Sequence, residues 1–221
     1  MRNILTGTLV DLSHRIEDGM ITHKGLPGPH ICDFWERQAS ASFYDDGSTF
    51  QIGRIDMVAN TGTYLDAPFH RFADGADLAG LDLAQLVALP GLVVRTDATA
   101  IDAGVFEELD VTGKAVLVHT GWDRFWRTEA YQSGHPFLTE AAAHLLARRG
   151  ARLVGIDSHN IDDTGSRARP VHTVLLGNGV LICEHMTNLA ALPDSGFLFT
   201  AAPPKIAGMG TFPVRAFAQM G

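Results

Sequence analysis

Three observations make this chain an α/β protein with a mixed sheet. Helical and strand-like patterns alternate, with FLTEAAAHLLARRG running directly into ARLVGID and PVHTVLLGNG into VLICE. The connections between them are short. A composition of 46% hydrophobic and 19% charged residues over 221 positions is that of a folded globular chain, long enough to bury a core as one domain spanning 1–221.

Taken in order, Ile4 to Leu12 is apolar and β-favouring, and HRIEDGM after it reads as a turn. From Pro27 to Ser48 the pattern is irregular, with Phe34, Trp35 and Phe43 scattered among Gly, Pro, Asp and Ser, so a long surface loop or flap with room for one short strand is expected. Gln51 to Ala59 reads as a strand. DLAQLVAL reads as a short helix stopped by Pro90 and Gly91, followed by the strands GLVVRTDA and KAVLVHT. In FLTEAAAHLLARRG, Thr139 is the expected N-cap, Arg148 and Arg149 close the last turn, and Gly150 stops the helix. ARLVGID is then a strand ending at Asp157, PVHTVLLGNG a helix with a glycine stop, and VLICE a strand ending at Glu184.

Charge and motifs narrow the function. A net charge of −8 with no basic patch argues against a nucleic-acid partner. No apolar run reaches the roughly 20 residues of a membrane span, and MRNILTGTLVDLSH lacks the pattern of a signal peptide, so a soluble cytoplasmic protein is expected. Cys32 and Cys183 form neither a disulfide framework nor a metal-binding pair. There is no GxSxG elbow, HExxH or Walker loop, and the glycines of GMGTF lack dinucleotide spacing.

What remains is a set of polar residues at strand ends. In NTGTYLDAPFH an extended chain would project Asn60, Gly62, Tyr64, Asp66, Pro68 and His70 to one face. Such a stripe fits a metal site, an acid/base site, or the wet side of a half-buried strand. Asp157, His159, Asp162 and Asp163 cluster in GIDSHNIDD, where loop capping competes with pocket lining or metal ligation. Trp35, Phe43 and Trp122 suit either an aromatic wall for a flat substrate or core packing.

The stretches VDLSHRIEDGM, NTGTYLDAPFH, HTGW, the helix before VGID, HTVLLGNGVLICEHMTNL and FPVRAFA, in that order, resemble the cyclase-like metal-dependent hydrolases, the family of kynurenine formamidase and isatin hydrolase. The resemblance covers nearly the whole chain. It implies an α/β fold whose mixed sheet forms a β-barrel-like core with flanking helices, a homodimer or homotetramer, and a small-molecule substrate. The family signature is HxGTHxDxPxH, whose two leading histidines and aspartate bind one metal while the aspartate bridges to a second, held by a later histidine and glutamate. By position the bridging aspartate is Asp66, the later pair His172 and Glu184, and the acid/base histidine His70. Asn60 and Tyr64 stand where the two leading histidines would be.

A carboxamide and a phenol are far weaker ligands than two imidazoles, so the resemblance implies one divalent ion, manganese or zinc, on Asp66, His172 and Glu184. Asn60, Tyr64 and Trp122 then become substrate-positioning groups. The implied activity is hydrolysis of a small amide, lactone or arylformamide carbonyl. The competing expectation is a metal-free isomerase, dehydratase or binding protein that has lost the metal chemistry.

Overall fold

The computed structural model describes residues 7–221. Its elements are β1 (Thr8–Asp11), β2 (His30–Trp35), α1 (Arg37–Ser40), β3 (Ile52–Asp56), β4 (Tyr64–Asp66), β5 (Leu89–Arg95), β6 (Ala100–Ile101), β7 (Ala115–His119), β8 (Phe137–Leu138), α2 (Glu140–Arg148), β9 (Leu153–Ile156), α3 (Pro170–Gly177), β10 (Leu181–Glu184), β11 (Ser195–Thr200), β12 (Thr211–Pro213) and β13 (Phe217–Met220). Nine of the strands form one sheet in the order β1-β13-β11-β5-β7-β9-β10-β4-β12. The central run β5-β7-β9-β10 is parallel and every other pairing is antiparallel, which makes the sheet mixed.

Alternation along the strands divides the interior in two. Leu117, Leu153 and Cys183 point to one face and share a cluster with Leu12, Leu65, Phe197, Phe199 and Ala218. Residues beside the first strand and on the eighth of the nine meet in that cluster, so the sheet curls into a half-barrel around it. Val116, Val118, Val154, Ile156 and Ile182 point the other way, against Ala142, Leu146, Val171 and Leu175 of α2 and α3. A fully buried leucine such as Leu146 or Leu175 contributes about 2 kcal/mol by leaving water.

The helices follow the expected punctuation. Thr139 Oγ1 accepts from Ala142 N at 3.2 Å to cap α2, Glu140 opens its first turn, and Gly150 leaves it at φ +77°. Pro170 begins α3, where its missing N–H is not needed.

Four expectations change. DLAQLVAL forms only a turn of 3-10 helix at Leu83–Gln85, capped by Asp82; Pro90 and Gly91 lie inside β5 instead of stopping a helix. The Gln51 to Ala59 strand is shorter, Ile52–Asp56, and pairs with β2 in a hairpin separate from the main sheet. The Pro27 to Ser48 flap is therefore one arm of that hairpin plus the short helix α1. The N-terminal strand is Thr8–Asp11, and the part of that expectation at 4–6 lies outside the described residues. The sheet also contains β11, β12 and β13, for which the sequence offered no strand reading.

Candidate active site

The extended reading of NTGTYLDAPFH holds only for Tyr64–Asp66. The chain bends before it at Gly62, whose φ of +66° suits glycine, and a Cβ there would sit 2.9 Å from Ile16. After Asp66 it enters a turn of 3-10 helix at Pro68–His70. Tyr64 and Asp66, two apart on β4, still project to one face, which is the face carrying Glu184 of β10 and the helix α3.

Strand register assembles the rest. Glu184 is the cross-strand partner of Tyr64, and the Tyr64 hydroxyl donates to Glu184 Oε2 at 2.6 Å. Thr211 of β12 is the partner of Asp66 on the other side; its hydroxyl donates to Asp66 Oδ1 and lies 2.7 Å from His70 Nδ1. Such closeness requires glycine at 210, where a Cβ would fall 2.2 Å from the His70 backbone nitrogen. His70 Nδ1 stands 3.7 Å from Asp66 Oδ1, with 34% of its side chain exposed, whereas Asp66 is completely buried. His70 is thus the member of the group that meets solvent.

From α3, His172 points its Nε2 to within 3.7 Å of both Asp66 Oδ2 and Glu184 Oε1. Its other nitrogen, Nδ1, is 2.6 Å from Asp162 Oδ2. Asp162 also accepts from the backbone N–H groups of Val171 and His172, so one carboxylate caps α3 and fixes the histidine ring. Asp157 serves the other purpose weighed for GIDSHNIDD: it accepts from Thr120 N, Thr120 Oγ1 and Gly121 N and pins the loop after β7. Among the described residues, Asp66 Oδ2 is buried with no hydrogen-bond partner.

The donors fit a cation. Asp66, His70 and His172 present ligand atoms all within 4.8 Å of one another, and Glu184 approaches His172 Nε2 from the far side. Ile161 N donates to Glu184 Oε1 at 2.6 Å, which orients that carboxylate without using all its lone pairs. Burial alone would drive the proton off His172, but Glu184, Asp162 and Asp66 outweigh it and raise its pKa to about 10. Burial, with Asp66 adding, lifts Glu184 above the usual carboxylate range while His172 opposes.

Asn60 and Tyr64 lie beside this group. Burial and the neighbouring Glu184 and Asp66 carboxylates hold Tyr64 well above the usual phenol range, so it remains a neutral hydroxyl, and the Asn60 side chain hydrogen-bonds to it. Trp122 is placed elsewhere: its indole N–H donates to the Tyr131 carbonyl at 3.2 Å and its ring meets Phe125 edge-on at 4.8 Å. Trp35 and Phe43 stack at 5.0 Å on the hairpin arm.

A second group gathers around His159, which the sequence had offered for metal ligation, with two partners it had not. His23 Nε2 lies 2.9 Å from the Tyr64 hydroxyl and 3.3 Å from His185 Nε2, and His159 completes a trio of ring nitrogens within 4.8 Å of one another. Burial lowers the pKa of His23 to about 4, with Asp66 opposing and His135 adding; burial, His23 and His135 lower that of His159 to about 3. His185, fully enclosed, is also driven well below the usual imidazole range. The usable signal was compositional, ten histidines in an acidic chain with none at positions 60 and 64.

Fold and geometry agree with what the chain resembles. The family model described as "Putative cyclase" matches residues 10–163, more than half of the chain, and the protein belongs to that cyclase family. Kynurenine formamidase of Bacillus cereus is 24% identical over 212 residues, covering 96% of this chain and 97% of its own. A solved structure described as a potential metal-dependent hydrolase with cyclase activity superposes with a TM-score of 0.79 at 27% identity, covering 97% of this chain and 98% of that one. Isatin hydrolase A of Labrenzia aggregata gives a TM-score of 0.79 at 21% identity, covering 97% and 94%, which is a likeness of fold. Among the described residues no helix is long and apolar enough to cross a membrane.

Proposed function

We propose that this protein is a metal-dependent hydrolase of a small carbonyl substrate, in the class of arylformamides, cyclic amides and lactones. The observation that carries this reading is Asp66 Oδ2, buried without a hydrogen-bond partner and 3.7 Å from an imidazole nitrogen aimed at it by Asp162. An unsatisfied buried carboxylate oxygen costs about 1–3 kcal/mol or more unless something cationic meets it; without an ion that cation is the protonated His172, whose proton a divalent ion would displace. Kynurenine formamidase, a relative over nearly its full length, and the similar metal-dependent hydrolase fold support the same class.

Asp66, His172 and Glu184 would hold one divalent ion, with His70 near enough to share it. Two carboxylates and an imidazole suit manganese or zinc. When bound, such an ion supplies Lewis acidity at the carbonyl and acidifies water. The chain's own groups supply the proton traffic. Thr211 engages His70 Nδ1, leaving Nε2 to take a proton from water and return it to the leaving nitrogen or oxygen. The Asn60 carboxamide offers hydrogen bonds that orient the substrate carbonyl, while Tyr64, whose hydroxyl proton goes to Glu184, holds that carboxylate in place.

The hairpin of β2 and β3 supports a homo-oligomer. It displays Phe34, Trp35, Phe43, Ile52 and Ile55, an apolar arm too large to leave in water without a partner surface. Light scattering on the wild type and on an Ile55→Asp variant tests this; a monomer in both would remove the assembly.

The activity is tested with an aryl formamide and an isatin-type cyclic amide, comparing wild type with His70→Ala. Turnover of either substrate, reduced about 100-fold or more in the variant, is expected. Equal turnover by both proteins would end the assignment of His70.

A further inference from the structure

The histidines at 23, 159 and 185 take no part in the hydrolytic reading, yet three separate loops bring them together. His23 lies between β1 and β2, on a loop strapped down by Gly62 N donating to Thr22 Oγ1 at 2.9 Å and by Gln132 Nε2 donating to Thr22 O at 3.2 Å. His159 follows β9. His185 follows β10 with its φ at +55°, a left-handed conformation uncommon for a residue with a side chain. A strained backbone at a fully buried histidine is the kind of local departure that accompanies ligand sites.

Ordinary packing does not account for the trio. One hydrogen bond between His23 and His185 would explain a single pair, but His159 Nδ1 is buried without a partner. His23 Nε2 also meets the Tyr64 hydroxyl and His185 Nδ1 the Tyr131 hydroxyl, so the unmet nitrogen of the trio is the one on His159. Their spacing is that of a metal site. Two nitrogens on a tetrahedral zinc, each at about 2.05 Å, stand about 3.3 Å apart, and His23 Nε2 and His185 Nε2 are separated by 3.3 Å. Ring centroids lie 4.9 to 5.7 Å apart, so all three rings can point at one centre without overlapping. Tyr131 meets His185 on its other nitrogen at 2.9 Å, the outer partner that fixes a ligand ring.

We propose that His23, His159 and His185 form a binding site for a divalent transition-metal ion, zinc foremost, separate from the Asp66, His172 and Glu184 group and divided from it by Tyr64. Three neutral nitrogen donors select zinc-like ions over magnesium or calcium. The Tyr64 hydroxyl, 2.9 Å from His23 Nε2 and 2.6 Å from Glu184 Oε2, touches both sides. The site stands whether or not the hydrolase reading does, because it shares no ligand with it.

Chelator-treated full-length protein is titrated with zinc by calorimetry and with cobalt(II) by visible absorption. The variants are His23→Ala, His159→Ala and the double variant His172→Ala/Glu184→Gln, each checked by circular dichroism. The expected result is a zinc site whose cobalt form shows strong tetrahedral bands, retained in the double variant and weakened at least about 100-fold in both single variants. The proposal is overturned when a folded single variant, made in the His172→Ala/Glu184→Gln background so that only this site is read, keeps wild-type zinc affinity, or when the double variant abolishes the site. His23 is half-buried on a loop, so that variant decides alone should His159→Ala not fold. Loss of turnover confined to the double variant reports on the hydrolase reading separately.

Discussion

The two sides of Tyr64 use the same residue type for opposite ends. On one side His172 lies among Asp66, Asp162 and Glu184, and their negative charge raises its pKa to about 10. On the other, His159 lies among imidazoles in a buried pocket and falls to about 3. Desolvation disfavours the charged ring on both sides; the carboxylates reverse the outcome on one. The contrast teaches that burial keeps the histidines of this pocket neutral and that only the carboxylates around His172 overcome it. The acidic side is built to receive a cation, and the imidazole side is kept free of protons.

The largest break is Asp66→Asn. It removes the anion that meets His172 and His70, and we expect kcat/KM on an arylformamide to fall about 1000-fold or more, some 4 kcal/mol of transition-state stabilisation. Kinetics with matched metal analysis check it, and near-normal activity would dissolve the acidic side as the catalytic one.

Acid should separate the two sides next. Above pH 6.5 a buried neutral histidine is uncharged in both folded and unfolded chain, so nothing is lost. As pH falls, the unfolded chain takes up protons that the folded one refuses until the lower folded pKa is reached, and stability drops through that window. His14, stacked on Trp126 at 4.0 Å and lowered to about 4 by burial against the opposing charge of Asp123, should alone cost about 2 kcal/mol between pH 6.5 and 5. His172 has the reverse sign: its contribution is present below about pH 6.5 and is lost as pH rises toward 10. Denaturant unfolding of chelator-treated protein across pH measures both, and His14→Phe should flatten the acid slope by its share.

Asp162→Ala sharpens the picture further. Losing the partner of His172 Nδ1 should weaken metal affinity or activity by about 10–100-fold, and losing the cap of α3 should cost about 1 kcal/mol of stability. An unchanged metal affinity with only the stability loss would confine Asp162 to capping. Tyr64→Phe, which strips a hydrogen bond from Glu184 and from His23, touches stability alone; a loss of about 1–3 kcal/mol in unfolding free energy is expected.

The sequence was most readable where pattern and local geometry coincide. α2 with its Thr139 cap, and the parallel strands β7, β9 and β10, follow directly from apolar periodicity. DLAQLVAL misled because eight apolar-rich residues before a proline fit a helix, whereas Leu89 and Pro90 pair with β11 and claim the segment for the sheet. β12 is only three residues long, too short for any alternation to show. Of the site, the roles given to Asp66, His70, His172 and Glu184 came from the resemblance to the cyclase-like hydrolases; the residues alone left each with a structural alternative. His159 was weighed as a ligand within GIDSHNIDD, but its meeting with His23 and His185, on loops joined only by tertiary folding, lies beyond the reach of any local pattern. Trp122 looked like a pocket wall because an aromatic after a strand and a glycine is exposed in sequence terms, yet Tyr131 and Phe125 take up its ring.

The most direct test of the account is turnover of an arylformamide by protein stripped of metal with a chelator, before and after manganese or zinc is restored. Activity lost on stripping and recovered on addition, but not recovered in Asp66→Asn, is the predicted result. Undiminished turnover by protein shown by elemental analysis to carry no metal would contradict it.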